Sequence, residues 1–116
     1  MAASKQVAHL WNLYIARETA PGYSQPFWNC GTAITREEID QAIQSKSFNP
    51  KGDTTPGYQG HRAWHIRQIA GIVNFLQTGG KLEPIQLHPD GTPGDGCHRL
   101  YAHWYLNREW IEVTPI

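Results

Sequence analysis

The sequence predicts an α+β domain: a small mixed sheet with helices packed on one side. Three observations predict it. Apolar residues recur at helical spacing in separate segments, most densely between His61 and Gln77. Two short strand-like runs, Pro84 to His88 and Trp110 to Val113, flank a further helical stretch. Clusters of glycine and proline punctuate the chain between these segments. With 116 residues, about 40% of them apolar, the chain suits one core without staples.

In chain order, Lys5 to Ala16 carries Val7, Leu10, Trp11, Tyr14 and Ile15 on one helical face. Pro21-Gly22 breaks Arg17 to Pro26 into a loop, and Phe27 to Asn29 reads as a short strand. Thr35 with Glu38 three residues later is a capping-box signature that opens a helix. Ile39, Ala42 and Ile43 give that helix a narrow apolar face. Ser47 to Gly60 reads as a loop that divides an N-terminal helical extension (1–60) from the core region (61–116) of one domain. In the core region, Trp64, Ile66, Ile69, Ile72, Val73 and Leu76 form a broad stripe, ended by Gly79-Gly80. After the strand Pro84 to His88 comes a turn, Pro89 to Gly94, then a helix from His98 to Asn107. Its Leu100, Tyr101, Trp104 and Tyr105 recur at helical spacing as core positions. Trp110 to Val113 closes the fold as a strand.

The chemistry concentrates in Gly94-Asp95-Gly96-Cys97-His98-Arg99, where a glycine-rich turn runs into a helix. The first turn of a helix leaves N–H groups unpaired and carries a partial positive charge. Glycines let another group approach that backbone, so the junction suits a phosphate or another anion. Arg99 adds a fixed fork of donors and His98 a tunable one. Cys97 stands where a helix N-terminus and cations lower a thiol's pKa. A plain surface turn capping a helix has the same composition. Asp95 and Asp90 flank the turn. Asp95 could hold a Mg²⁺ arriving with phosphates, whereas Asp90 reads as turn-forming. His61 and His65 stand four apart but lack a third metal ligand. Cys30 reads as a small buried hydrophobe, with the alternative of a resolving partner for Cys97.

Gly96-Cys97-His98-Arg99 resembles the Gly-Cys-His-Arg signature of sulfiredoxins. Asp95-Gly96, His98-Arg99-Leu100 and Ala102 also resemble the Asp-Gly-x-His-Arg-Leu-x-Ala pattern of ParB-like domains, which share that fold. Pro84-Ile85-Gln86-Leu87 is similar to the superfamily's Pro-Ile-x-Val strand. His65 to Leu76 resembles its preceding helix, and Arg108 to Val113 its closing strand. The likeness covers Arg62 to Val113, less than half of the chain. It implies a ParB/sulfiredoxin-like fold in which Gly94, Gly96, His98 and Arg99 contact the phosphates of ATP or another nucleotide, with Cys97 as the reactive thiol. It places the family's basic helix residue at Arg67. Ala70 and Asn74 stand where sulfiredoxins carry hydroxyl residues, and Leu100 replaces their aromatic residue. The arginine-rich turn of ParB partition proteins is absent, and there is no room for their helix-turn-helix domain.

The expectation is therefore a nucleotide-binding protein, with ATP-dependent phosphoryl transfer or hydrolysis through Cys97 and Arg99 as its catalytic version. Two alternatives stand beside it. One is a ParB-like DNA-binding regulator or nuclease, plasmid- or phage-encoded. The other is a noncatalytic protein-interaction module on the same fold. Ten basic residues balance ten acidic ones, so the broad positive field of a nonspecific nucleic-acid binder is missing. Nothing reads as a secretory leader, and no run of about 20 apolar residues could span a bilayer. The expected setting is the cytoplasm, with both thiols reduced.

Overall fold

A computed structural model describes residues 3–49 and 61–115. The elements run β1 (Ala3–Gln6), α1 (Val7–Glu18), α2 (Arg36–Gln44), α3 (Arg62–Gln77), β2 (Ile85–Leu87), α4 (Cys97–Tyr105) and β3 (Trp110–Pro115). The expected α+β architecture is present, with a three-stranded mixed sheet in the order β1-β3-β2. Central β3 pairs antiparallel with β1 (Ser4 opposite Glu112) and parallel with β2 (Ile85 opposite Val113). Helix α4 makes the crossover from β2 to its parallel neighbour, as parallel pairing requires.

The period-2 burial of the strands orients the sheet. Ile85, Leu87, Ile111 and Val113 are buried, while Gln86, Trp110 and Glu112 are exposed. The inner face meets a core built from Leu10, Tyr14, Ile39, Ile69, Val73, Leu100 and Tyr101. Burying side chains of this size stabilises by roughly 1.5–3 kcal/mol each. Among the described residues, no helix is long and apolar enough to cross a membrane.

Local chemistry explains most boundaries. The Thr35–Glu38 capping box is formed in both directions. Helix α3 ends in a Schellman pair, Gly80 N–H on the Phe75 carbonyl (2.9 Å) and Gly79 N–H on that of Leu76 (3.2 Å), with Gly79 left-handed at φ +92°. The segment after α2 continues as loop through Asn49, and the rest of the expected 47–60 loop lies outside the described residues.

Three expectations need correction. Helix α1 begins at Val7, not Lys5, because Ala3–Gln6 is drawn into the sheet by β3 and Val7 N–H bonds the Glu109 carbonyl. It also runs on to Glu18, into the segment expected to be loop. Phe27 to Asn29 is not a strand: all three residues are left-handed (φ 50°, 55° and 66°) and form a tight turn closed by Cys30 N–H on the Phe27 carbonyl.

Candidate functional site

The glycine turn is delivered to α4 by β2. Gly94 N–H donates to the Gln86 carbonyl (2.7 Å), Gln86 N–H to that of Asp95 (2.9 Å), and His88 N–H to that of Thr92 (2.9 Å). The returning strand-like segment thus lies along the free edge of β2. It places Gly96 as the N-cap of α4 with φ +104°, a conformation that favours glycine. A Cβ at Gly96 would stand 2.7 Å from Ile85 Cγ2 and 2.8 Å from Arg99 Nη2. This corrects the expected open approach: the glycine is needed because Ile85 and Arg99 close over it.

Arg99 lies against the turn. Its Nη1 donates to the Glu83 (3.0 Å) and Pro84 (3.2 Å) carbonyls, and its Nη2 reaches Asp95 Oδ2 at 3.4 Å. The carbonyls fix the guanidinium without neutralising it. The Asp95 carboxylate is exposed, and such pairs are worth about 0–1 kcal/mol. The first intrahelical bond of α4 is Leu100 N–H to the Gly96 carbonyl. Among the described residues nothing accepts from the amides of Cys97, His98 and Arg99, as expected of a first turn.

Cys97 Sγ approaches the Gly94 carbonyl (3.6 Å) and Arg17 Nη2 (3.8 Å). Burial pushes this thiol up, and the neighbouring Arg17 charge only partly opposes the shift. This reverses the expected activation. Arg17 arrives from the end of α1, bonds the Pro93 carbonyl, and is held by Glu18 at 3.0 Å. The other oxygen of Glu18 accepts from Phe27 N–H (2.8 Å), which pins the left-handed turn.

His98 faces inward. Its Nε2 is 2.8 Å from Nδ1 of the buried His65, and both rings lie parallel to the Trp28 indole with centroids 4.3 Å away. Trp64 meets both imidazoles edge-on. Burial, then the His65 and Arg99 charges, lower the His98 pKa to about 3. The His98 imidazole is therefore a neutral member of a packed His–His–Trp stack, engaged there rather than offered to the turn. Arg67 Nε bonds Asn49 Oδ1 (2.9 Å), and Asn49 bonds the Trp64 carbonyl and the Gln68 side chain. Arg67 thus ties α3 to the loop after α2, and its hydrogen bond goes there rather than to the turn.

Both cysteines are free, and Cys30 Sγ contacts the Trp28 carbonyl. Among the described residues no three His, Cys, Asp or Glu side chains are grouped to hold a metal. Asp95 alone would serve a Mg²⁺ carried in by phosphates, which needs only one or two protein carboxylates.

Sequence reasoning missed Arg17 beside the turn, the His65–His98 contact and the part of Trp28 in it. No local spacing connects residues so distant in sequence. Comparisons with protein-family models, curated proteins and solved structures find no match.

Proposed function

We propose that the β2–α4 junction binds the phosphates of a nucleotide such as ATP, in a module of the ParB/sulfiredoxin type. One observation carries this: the acceptor-free amides of Cys97, His98 and Arg99 lie beside a guanidinium that backbone carbonyls already hold against the same turn. Such a donor set favours an anion with little reorganisation. The order α3, β2, glycine turn, α4, β3 agrees with the resemblance on which the expectation rests.

The activity proposed is binding rather than covalent catalysis. A thiol raised by burial is a poor nucleophile at neutral pH, and a neutral His98 ring bonded to His65 carries no charge to a phosphate. The phosphates would rest on the amides of Cys97, His98 and Arg99, with Asp95 as the carboxylate for any accompanying Mg²⁺. Calorimetric titration of ATP and the other nucleoside triphosphates, with and without Mg²⁺, tests it. Saturable binding is expected, weakened about tenfold or more in Arg99→Ala, as for a charge-assisted contact. Cys97→Ser should bind as wild type does. Absence of saturable binding by any triphosphate overturns the proposal.

A second reading, the protein-interaction module, is favoured by the exposure of Trp110 (53%) and Phe75 (47%). It predicts no triphosphate binding at all.

A further inference from the structure

The C-terminal end of α4 holds a different kind of opening. A cleft of about 270 Å³ lies between the end of α3, the loop leading to β2, the end of α4 and the start of β3. Its floor includes His103, 8% exposed. Nδ1 of His103 is 2.9 Å from the Arg99 carbonyl. A carbonyl only accepts, so Nδ1 carries the proton. Burial lowers the His103 pKa, which keeps the ring neutral and leaves Nε2 as a bare acceptor. No described residue donates to Nε2, yet among the described residues no unpartnered side-chain nitrogen is sealed from solvent. Nε2 therefore keeps contact with solvent, and His103 lines the cleft. Arg108 on the rim makes no side-chain hydrogen bond or ion pair among the described residues, whereas Lys81 is paired with Glu112 at 3.7 Å. Trp110 and Leu82 supply the apolar walls.

We propose that this cleft is a ligand site for a small hydroxylated aromatic acid: ring against Trp110, carboxylate toward Arg108, hydroxyl donating to His103 Nε2. Each part answers a group on the wall. The neutral imidazole needs a donor, the unpaired guanidinium an anion, and the half-exposed indole a flat apolar partner. The volume is below the usual drug-sized range of roughly 300–1,000 Å³ and suits a single substituted ring. The site is separate from the nucleotide junction, and its test does not depend on that reading.

The probe is 4-hydroxybenzoate, titrated into the isotope-labelled full chain and followed by NMR. Saturable shifts are expected at the His103 ring and the Trp110 indole, with an affinity between millimolar and micromolar for about ten non-hydrogen atoms. The methyl ether, 4-methoxybenzoate, keeps the carboxylate and ring but cannot donate to Nε2. It should bind about fivefold more weakly, the value of one lost neutral hydrogen bond. Arg108→Ala, an exposed substitution that leaves the core intact, should weaken both probes by a similar factor. Shifts that fail to saturate, equal binding of the two probes, or an Arg108→Ala protein that binds as wild type does would each overturn the proposal.

Discussion

The two ends of α4 are built in opposite ways. At the N-terminus the side chains are engaged and the backbone is left over: Cys97 packs on Gly94 and Arg17, His98 on His65 and Trp28, Arg99 on the carbonyls leading into β2, while the first-turn amides find no acceptor among the described residues. At the C-terminus the last carbonyls are engaged, and side-chain chemistry beside them is left over. Arg36 caps the Tyr105 and Trp104 carbonyls at 2.8 and 3.0 Å and lies over the Trp104 ring. His103, Arg108 and Trp110 meanwhile line an open cleft. Residue type alone therefore does not locate a ligand. The reactive-looking side chains are consumed by packing, and the groups proposed for recognition include those the fold left unmatched.

The most severe test of the N-terminal end is Gly96→Ala. Alanine in a left-handed conformation costs about 1–2 kcal/mol, and overpacking against Ile85 and Arg99 about 1–3 more. A loss of about 3 kcal/mol is expected in urea unfolding. An unchanged midpoint would mean that Ile85 and Arg99 do not close over the turn.

Acid probes the same end through His98. Its pKa falls from the ordinary 6.5 to about 3 in the folded chain. Between those values the unfolded chain takes up a proton that the folded chain refuses. Stability is therefore complete above about pH 6.5 and declines as pH falls toward 3, by up to about 1.4 kcal/mol per pH unit. His103, lowered in the same direction, adds to the slope. Glu38, held near 2 chiefly by Arg62, begins to contribute only as the pH approaches the ordinary carboxylate range. The interval from pH 6.5 to 5 thus isolates the histidines, and a loss of about 2 kcal/mol there should accompany a change in Trp28 fluorescence. A flat profile across that interval would remove the neutral His98 from the account.

At the other end, Arg36→Ala strips the cap from α4 and the cation from the Trp11–Trp104 stack, whose rings lie 4.2 Å apart. A loss of about 1–2 kcal/mol is expected, because Arg36 donates charge-assisted bonds to two carbonyls. If the variant matches wild type in thermal unfolding, water serves those carbonyls as well as the guanidinium does, and the contrast between the ends weakens.

How much of this was legible follows from range. Helices α2, α3 and α4 and strands β2 and β3 were readable because their signals are local: a capping box at Thr35, an apolar stripe ended by Gly79-Gly80, short apolar runs between turns. Strand β1 was not, because every residue of Ala3–Gln6 is exposed and the segment has no apolar alternation; only its pairing with β3 makes it a strand. The Phe27–Asn29 turn looked like a strand because aromatic residues favour strands, and Glu18 holding Phe27 N–H overrides that preference. The turn at Gly96 was readable as a junction, but its side chains' partners, His65, Arg17, Glu83 and Pro84, come from elements that only folding brings near.

The finest discrimination belongs to Asp95, among the described residues the one charged side chain paired with Arg99. Asp95→Asn removes an exposed ion pair worth about 0–1 kcal/mol, so the fold should be nearly unaffected. Its effect on nucleotide depends on what the carboxylate does. If Asp95 only competes with phosphate for Arg99, the variant should bind triphosphate up to about fivefold more tightly, with or without Mg²⁺. If Asp95 also receives the Mg²⁺ that accompanies the phosphates, binding should strengthen without the ion and weaken with it. The sign of the change in each condition separates the two roles. No change in either would mean that the anion rests on the first-turn amides without sensing the Asp95 carboxylate.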